Sequence, residues 1–122
     1  GRAHEEKHEY DAAIKVLRRA TELRDSPVLR TFLGHVYAVS GRRAEALQVL
    51  ASVQADSQHA RVEPYYMAAL WTALGERPRA LEALEQARRE RFYLVAYLKV
   101  DPRLDPLRDD ATFQRLLEEV GL

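Results

Sequence analysis

The sequence predicts an all-α chain built from stacked pairs of helices. Apolar residues recur at an interval of about 33–34 residues in four columns, each with three members. The columns are Ala13/Ala46/Ala80, Ile14/Leu47/Leu81, Leu17/Leu50/Leu84 and Ala20/Val53/Ala87. Within each copy these residues fall at steps of three and four, which is the period of an amphipathic helix. A repeat of this length is typical of arrays in which one supersecondary unit stacks on the next.

The first predicted helix is Glu9 to Leu23, and residues 2–8 read as the end of an earlier helix. The run Asp25-Ser26-Pro27 ends it, because Pro27 disfavours helix in the residue before it and suits the first turn of the next helix. Gly1 aligns with Gly34, so the chain begins inside a repeat. We therefore expect residues 1–25 to be a partial first repeat, and the chain to be a fragment of a longer protein.

Two complete helix pairs follow, over residues 26–58 and 59–91. The first pair is predicted as Val28 to Ser40, ended by Gly41, and Arg43 to about Ala55. The second pair is predicted as about Ala60 to Leu74, ended by Gly75, and Pro78 to about Arg91. Glycine is favoured just past the last residue of a helix, and proline is tolerated in the first turn.

Residues 92–122 leave the repeat and are predicted to form a helical cap. Phe92 to Val100 reads as a short helix, and the pairs Asp101-Pro102 and Asp105-Pro106 indicate turns. Ala111 to Val120 is the last predicted helix, with Asp110 as its N-cap. A terminal unit of this kind is expected because one face of a stacked array must meet water.

Composition excludes several classes of function. Apolar residues make up 47% of the chain, and 19 basic residues balance 19 acidic ones. A net charge of zero argues against general binding to nucleic acid or anionic lipid. No apolar run approaches the ~20 residues that span a bilayer, and no signal peptide is visible. Cysteine is absent, which excludes disulfides and thiolate metal sites. We expect a cytoplasmic location and no membrane insertion.

Three segments resemble the tetratricopeptide repeat, a pair of antiparallel helices of about 34 residues. They are LGHVYAVSGRRAEALQVL from Leu33, Met67-Ala68 with Trp71 and Gly75, and HEYDAAIKVLRRA from His8. The resemblance covers about residues 1–91 and implies a right-handed superhelix of helix pairs with a C-terminal cap. The tail from Val95 is similar to the segment that closes such regions in bacterial signalling and regulatory proteins.

The resemblance also implies a binding surface for a peptide or protein segment. In this family the first helix of each pair lines a concave groove. By register the groove positions are Val28, Thr31, His35, Val39, Val62, Tyr65, Ala69 and Thr72. The Lys, Arg and Asn of the family's carboxylate clamp are absent from these positions, so a mixed apolar and aromatic groove is expected. Tyr65 is the expected anchor, because a tyrosine offers a large contact area with a polar tip. The alternative is that Tyr65 packs on its neighbours.

Two other hypotheses come from different classes. The run His4-Glu5-Glu6-Lys7-His8 matches H-E-x-x-H, in which two His one turn apart bind zinc and the Glu acts as base. No third ligand is placed, and His8 aligns with the turn glycine of the repeat, so we expect no enzyme, metal site or cofactor. The other hypothesis is structural. In it the chain is a C-terminal cap or self-association segment of a larger protein, and the exposed face of its first helix pairs with another copy.

Aspartates and paired arginines have simpler interpretations than binding sites. Asp101, Asp105, Asp109 and Asp110 lack the ligand spacing of a calcium loop and read as caps and turns. The arginine pairs that begin at positions 18, 42 and 88 stand near glutamates, which indicates solvated helix faces rather than a phosphate site.

Overall fold

The computed structural model describes the backbone of residues 2–55 and 62–121, and the side chains of residues 6–55 and 62–121. Every regular element in these ranges is helical, which confirms the predicted all-α class. The α-helices are α1 (Arg2–Leu23), α2 (Pro27–Val39), α3 (Arg43–Ala55), α4 (Pro64–Ala73), α5 (Arg77–Arg89) and α6 (Ala111–Val120). Two 3-10 helices, Tyr93–Tyr97 and Pro102–Leu107, lie between α5 and α6.

The chain folds as two compact units, Gly1–Val62 and Glu63–Leu122. In the first unit α1 packs on α2 and α2 packs on α3; in the second α4 packs on α5. The repeat columns form the core of each pair, since Ala46, Leu50, Val53, Ala80, Leu84 and Ala87 are all buried. No helix in the described part of the chain combines the length and hydropathy needed to cross a lipid bilayer.

Three helices end in the same hydrogen-bonded turn. After α2 the Arg42 amide donates to the carbonyl of Tyr37 (2.8 Å), and the Gly41 amide donates to that of Ala38 (3.2 Å). The same pair of bonds follows α4 at Gly75 and α5 at Arg91. This is the Schellman arrangement, which needs a left-handed residue. Gly41 (φ 86°) and Gly75 (φ 78°) adopt it without steric cost, whereas Arg91 (φ 56°) does so with a side chain.

The expected break near His8 is wrong. Residues 2–23 form one continuous helix, not the end of one helix followed by another. His8 stands in the register of Gly41, where the second pair turns with positive φ. A histidine enters the left-handed region at a cost of roughly 1–2 kcal/mol, so continuing the helix is the favoured outcome.

The helix α4 also begins later than expected, at Pro64 rather than near Ala60. Val62 and Glu63 are not helical, because a proline disfavours the α conformation in the residue before it. The predicted polar connection at residues 56–59, and Ala60 itself, lie outside the described residues. Ser26 caps α2 as its position before Pro27 suggests, and its hydroxyl accepts the Leu29 amide at 3.1 Å.

The cap comprises residues 92–121 and has its own apolar centre. Leu98, Leu104, Leu107 and Phe113 are fully buried. The two Asp-Pro pairs do not form isolated turns as expected, because Pro102–Leu107 is a continuous 3-10 helix with Asp101 as its N-cap. The helix α6 has the predicted bounds. The Asp110 carboxylate accepts the Thr112 amide at 2.8 Å, and Gly121 ends the helix with φ 90°.

Candidate functional site

The predicted groove residues of α2 differ in how far they meet solvent. Val28 and His35 are half-buried, and Val39 is 40% exposed. Thr31 is buried, and its Oγ1 donates to the carbonyl of Pro27 at 2.8 Å within the helix. Of the four predicted groove residues of α2, Val28, His35 and Val39 are therefore accessible to solvent, and Thr31 is not.

A fourth accessible residue, Phe32, belongs to the same face of α2. It is half-buried and stands between Val28 and His35 at steps of four and three, so the three side chains share one side of the helix. We refer to Val28, Phe32, His35 and Val39 as the α2 stripe. The family register did not place Phe32 in the groove, although the helical spacing was a signal that could have identified it.

The predicted groove residues of α4 are all buried. Tyr65 is 0% exposed, Ala69 2% and Thr72 4%. Thr72 satisfies its hydroxyl inside the helix, donating to the carbonyl of Ala68 at 2.7 Å. Val62, just before α4 in the chain, is also buried. In this arrangement these side chains offer no surface to a ligand, and their part in binding stays a prediction.

Tyr65 is the centre of a polar contact between α4 and the cap. Its hydroxyl donates to Asp101 Oδ2 at 2.8 Å, and its ring lies 6.2 Å from that of Phe92. This is the packing alternative that the sequence left open for Tyr65, and it does not agree with the role of an exposed anchor. Burial, and then the hydrogen bond to Asp101, raise the pKa of the Tyr65 phenol well above its ordinary value.

Arginines of the cap complete this polar contact. Arg103 donates to Asp101 through its amide (3.0 Å) and its Nη2 (2.7 Å). Arg108 donates to the carbonyl oxygens of Lys99 and Asp101, both at 2.7 Å. Asp101 is buried, and the hydrogen bonds that its carboxylate accepts from the Tyr65 hydroxyl and from the amide, Nε and Nη2 of Arg103 offset the cost of its desolvation. The result is that the second 3-10 helix is held on α4.

The stability of this contact should depend on pH in the acid range. Burial alone raises the pKa of Asp101, but the hydrogen bonds from Arg103 and Tyr65 outweigh it and hold the pKa below its ordinary value. A carboxyl with a lowered folded pKa stabilises the fold above its unfolded pKa of about 4, and this contribution is lost as the pH falls through the folded pKa. We expect the free energy of unfolding, measured by urea titration, to fall less between pH 7 and pH 3 in Asp101→Asn than in the unsubstituted chain.

The exposed Asp109 provides the matched control for this measurement. Asp109→Asn should keep the full acid dependence of the unsubstituted chain. An acid dependence that is equal in Asp101→Asn and Asp109→Asn would contradict the assignment.

The described residues do not support the zinc, calcium or phosphate sites that the sequence motifs suggested. His8 is exposed on α1, while the side chains of His4 and Glu5 lie outside the described part. No group of three metal-ligating side chains occurs among the described residues.

Asp105 pairs with Arg108, and Asp101 and Asp110 act as caps, as expected. Glutamates pair with Arg19, Arg42 and Arg88, which confirms solvated and neutralised helix faces.

A comparison of the sequence with models of known protein families agrees with the helix pairs seen in the structure. Residues 5–66, or 62 of the 122 residues, match the family model of the tetratricopeptide repeat, a shorter span than the expected residues 1–91. The search of curated proteins and the search of solved structures each gave no match. Repeats of this kind generally mediate contacts between proteins and are non-catalytic. With half of its length covered by the family model and its helix pairs in the expected register, the chain belongs to the tetratricopeptide repeat family.

Proposed function

We propose that this chain is a non-catalytic protein-interaction module, and that its α2 stripe binds a peptide or an exposed segment of another protein. The observation that carries the proposal is the row of Val28, Phe32, His35 and Val39 along one side of α2. These side chains are half-buried or exposed, although α2 packs on both α1 and α3. An accessible, mostly apolar row on a first helix is where this family's repeats receive their ligands.

The composition of the stripe defines the expected ligand. Two valines and a phenylalanine favour apolar side chains, and His35 adds a polar group near the middle of the row. No lysine or arginine belongs to the stripe, so a ligand with a cluster of carboxylates gains no special attraction there. An interface of this size is expected to bind in the micromolar range, which corresponds to roughly 6–8 kcal/mol.

The buried residues of α4 have a supporting role in this proposal. Tyr65, Ala69 and Thr72 hold the first helix of the last pair against its neighbours in the second unit, rather than touching the ligand. The partners that we exclude, nucleic acid and membranes, are excluded on charge and hydropathy alone. The cytoplasmic location and the bacterial signalling or regulatory context stay predictions.

The proposal is tested by a charge placed in the stripe. Peptides that bind the chain would be selected from a random display library, and their Kd measured by calorimetry. Val39→Glu should raise the Kd about tenfold or more, because it places a charge against the apolar part of the ligand. Leu47 on α3 is the matched control, since it is 43% exposed where Val39 is 40% exposed.

Leu47→Glu should leave the Kd within about twofold of the original value, since it lies outside the contact. If both variants bind selected peptides as tightly as the unsubstituted chain, the stripe is not the binding site. A selection that yields no peptide with a Kd below the millimolar range would argue against the peptide-binding function itself.

A further inference from the structure

The cap carries an apolar surface that packing inside the fold leaves open. Leu94, Tyr97 and Val100 follow one another at steps of three along the first 3-10 helix and the turn after it, so they share one side. Tyr97 is 55% exposed, Val100 is 69% exposed and the neighbouring Tyr93 is 68% exposed. These three are the exposed large apolar side chains in the described part of the second unit. Exposed apolar side chains that lie together are typical of a surface that binds a partner.

These side chains surround a cavity that has an arginine in its wall. The cavity has a volume of about 430 Å³, and Arg103 lines it together with Tyr93, Leu94, Tyr97 and Val100. We call these five residues the cap patch. All of them belong to the second unit. Apolar and aromatic walls with one charged group are the usual composition of a binding site.

The guanidinium of Arg103 is only partly used inside the fold. Its Nε and Nη2 donate to the carboxylate of Asp101, at 3.1 Å and 2.7 Å, and this contact does not use its Nη1. The Arg103 side chain is 31% exposed. Because a guanidinium has five N–H donors, Arg103 can hold Asp101 and still donate to an acceptor in the cavity.

The surroundings of the cap patch are basic, although the chain as a whole has no net charge. Residues 91–103 contain Arg91, Lys99 and Arg103 against Asp101, which gives a net charge of +2. Asp101 is buried and hydrogen-bonded inside the fold, so its carboxylate does not face a ligand. Arg91 and Lys99 are exposed, and neither side chain forms an ion pair within the described part of the chain. The open apolar surface is therefore bordered by cations.

The conformation of Arg91 gives a second reason to examine this surface. Arg91 lies in the left-handed region with φ 56°, in the turn where α2 and α4 are each followed by a glycine. A side chain in this region strains the backbone, and strained residues occur often at functional sites. A cation thus stands beside the cap patch at a position where glycine would be free of strain.

We propose that the cap patch binds a protein segment rich in both acidic and large apolar residues. The apolar side chains of the segment cover the exposed tyrosines and Val100, and its carboxylates pair with the cations at positions 91, 99 and 103. Such a segment is complementary in charge to this surface, whereas a basic segment is repelled. This contact is separate from the α2 stripe, which contains no lysine or arginine, and does not depend on the proposed peptide binding.

Fluorescence anisotropy with short labelled peptides tests the proposal. An acidic probe alternates glutamate and leucine, a neutral probe has glutamine in place of glutamate, and a basic probe has lysine. The acidic probe is expected to bind with a Kd in the micromolar range. The neutral probe should bind about fivefold more weakly or worse, and the basic probe should show no saturable binding.

Two variants examine the cap patch itself. Tyr97→Ala should raise the Kd of the acidic probe about tenfold, because it removes a large exposed ring from the contact. Arg91→Gly should raise the same Kd about threefold, and it should also raise the urea midpoint of unfolding, because glycine removes the strain at this turn. A variant that gains stability while it loses affinity cannot have lost affinity by unfolding.

Arg115→Ala is the matched control for charge, since it removes another exposed cation of the second unit. This variant should bind the acidic probe as tightly as the unsubstituted chain does. Equal affinity for the acidic and neutral probes would overturn the proposal, and so would an unchanged Kd in both Tyr97→Ala and Arg91→Gly.

Two further measurements examine other occupants of the cap patch. Sedimentation equilibrium would assign the patch to a second copy of the chain if it showed a dimer that Tyr97→Ala abolishes. Saturable binding of a single-stranded oligothymidylate, with none of the acidic probe, would assign it to nucleic acid, because exposed tyrosines among cations also stack on bases. Either result would overturn the proposal of an acidic protein segment. The expected results are a monomer and no saturable binding of the oligothymidylate.

Discussion

Replacing Tyr65 with alanine is expected to lower the free energy of unfolding by about 3–5 kcal/mol, the range found when a large buried aromatic side chain is removed. The ring is fully buried and touches Phe92, and the hydroxyl is the donor to Asp101. Tyr65→Phe keeps the ring and removes only this donor, so we expect a smaller loss of about 1–3 kcal/mol. Urea denaturation followed by far-ultraviolet circular dichroism measures both.

The exposed Tyr97 provides the control for Tyr65, since its side chain is 55% exposed in the cap. Tyr97→Ala should change the free energy of unfolding by no more than about 0.5 kcal/mol. If Tyr65→Ala is as mild as Tyr97→Ala, Tyr65 is not the centre of a buried contact. Its role as a ligand anchor would then return as the better interpretation.

Replacing Phe113 with alanine should be equally damaging, and it tests whether α6 belongs to the core. Phe113, Leu116 and Leu117 are buried along one side of α6, and the Arg108 guanidinium lies 6.0 Å from the Phe113 ring centroid. We expect a loss of about 3–5 kcal/mol. We also expect the amides of α6 to exchange with solvent much faster, because this short helix depends on its packing for stability.

Arg115 on the exposed side of α6 is the matched control for Phe113. Arg115→Ala should leave both the stability and the exchange of α6 within error of the original. Unchanged hydrogen exchange of α6 in Phe113→Ala would mean that the cap is an independent appendage rather than part of the second unit's core.

Much of the fold could be predicted because local signals coincide with the repeat. The bounds of α3 and α6 are those expected from their apolar spacing, and for α6 also from its N-cap Asp110. The continuity of α1 through His8 was not predicted, because the repeat register places a turn there, although the glycine that permits such a turn is missing. The second 3-10 helix was not predicted, because an Asp-Pro pair suits both a turn and the first residues of a short helix.

The candidate site was predictable only in part. The register identified the exposed side of α2, yet it omitted Phe32 and included the buried Thr31. Tyr65 could not be assigned from the sequence, because its partner Asp101 lies 36 residues further along the chain, outside the repeat. Periodicity shows which side of a helix faces a neighbour, but it does not show which later segment will cover that side.

The most direct test of the α2 stripe is a nuclear magnetic resonance titration of the labelled chain with a peptide selected for binding. The α2 stripe hypothesis predicts that the largest chemical-shift changes fall on Val28, Phe32, His35 and Val39, and that the buried Tyr65 and Thr72 change little. Changes concentrated on the cap, on α1 or on α3, with the α2 stripe unaffected, would contradict it.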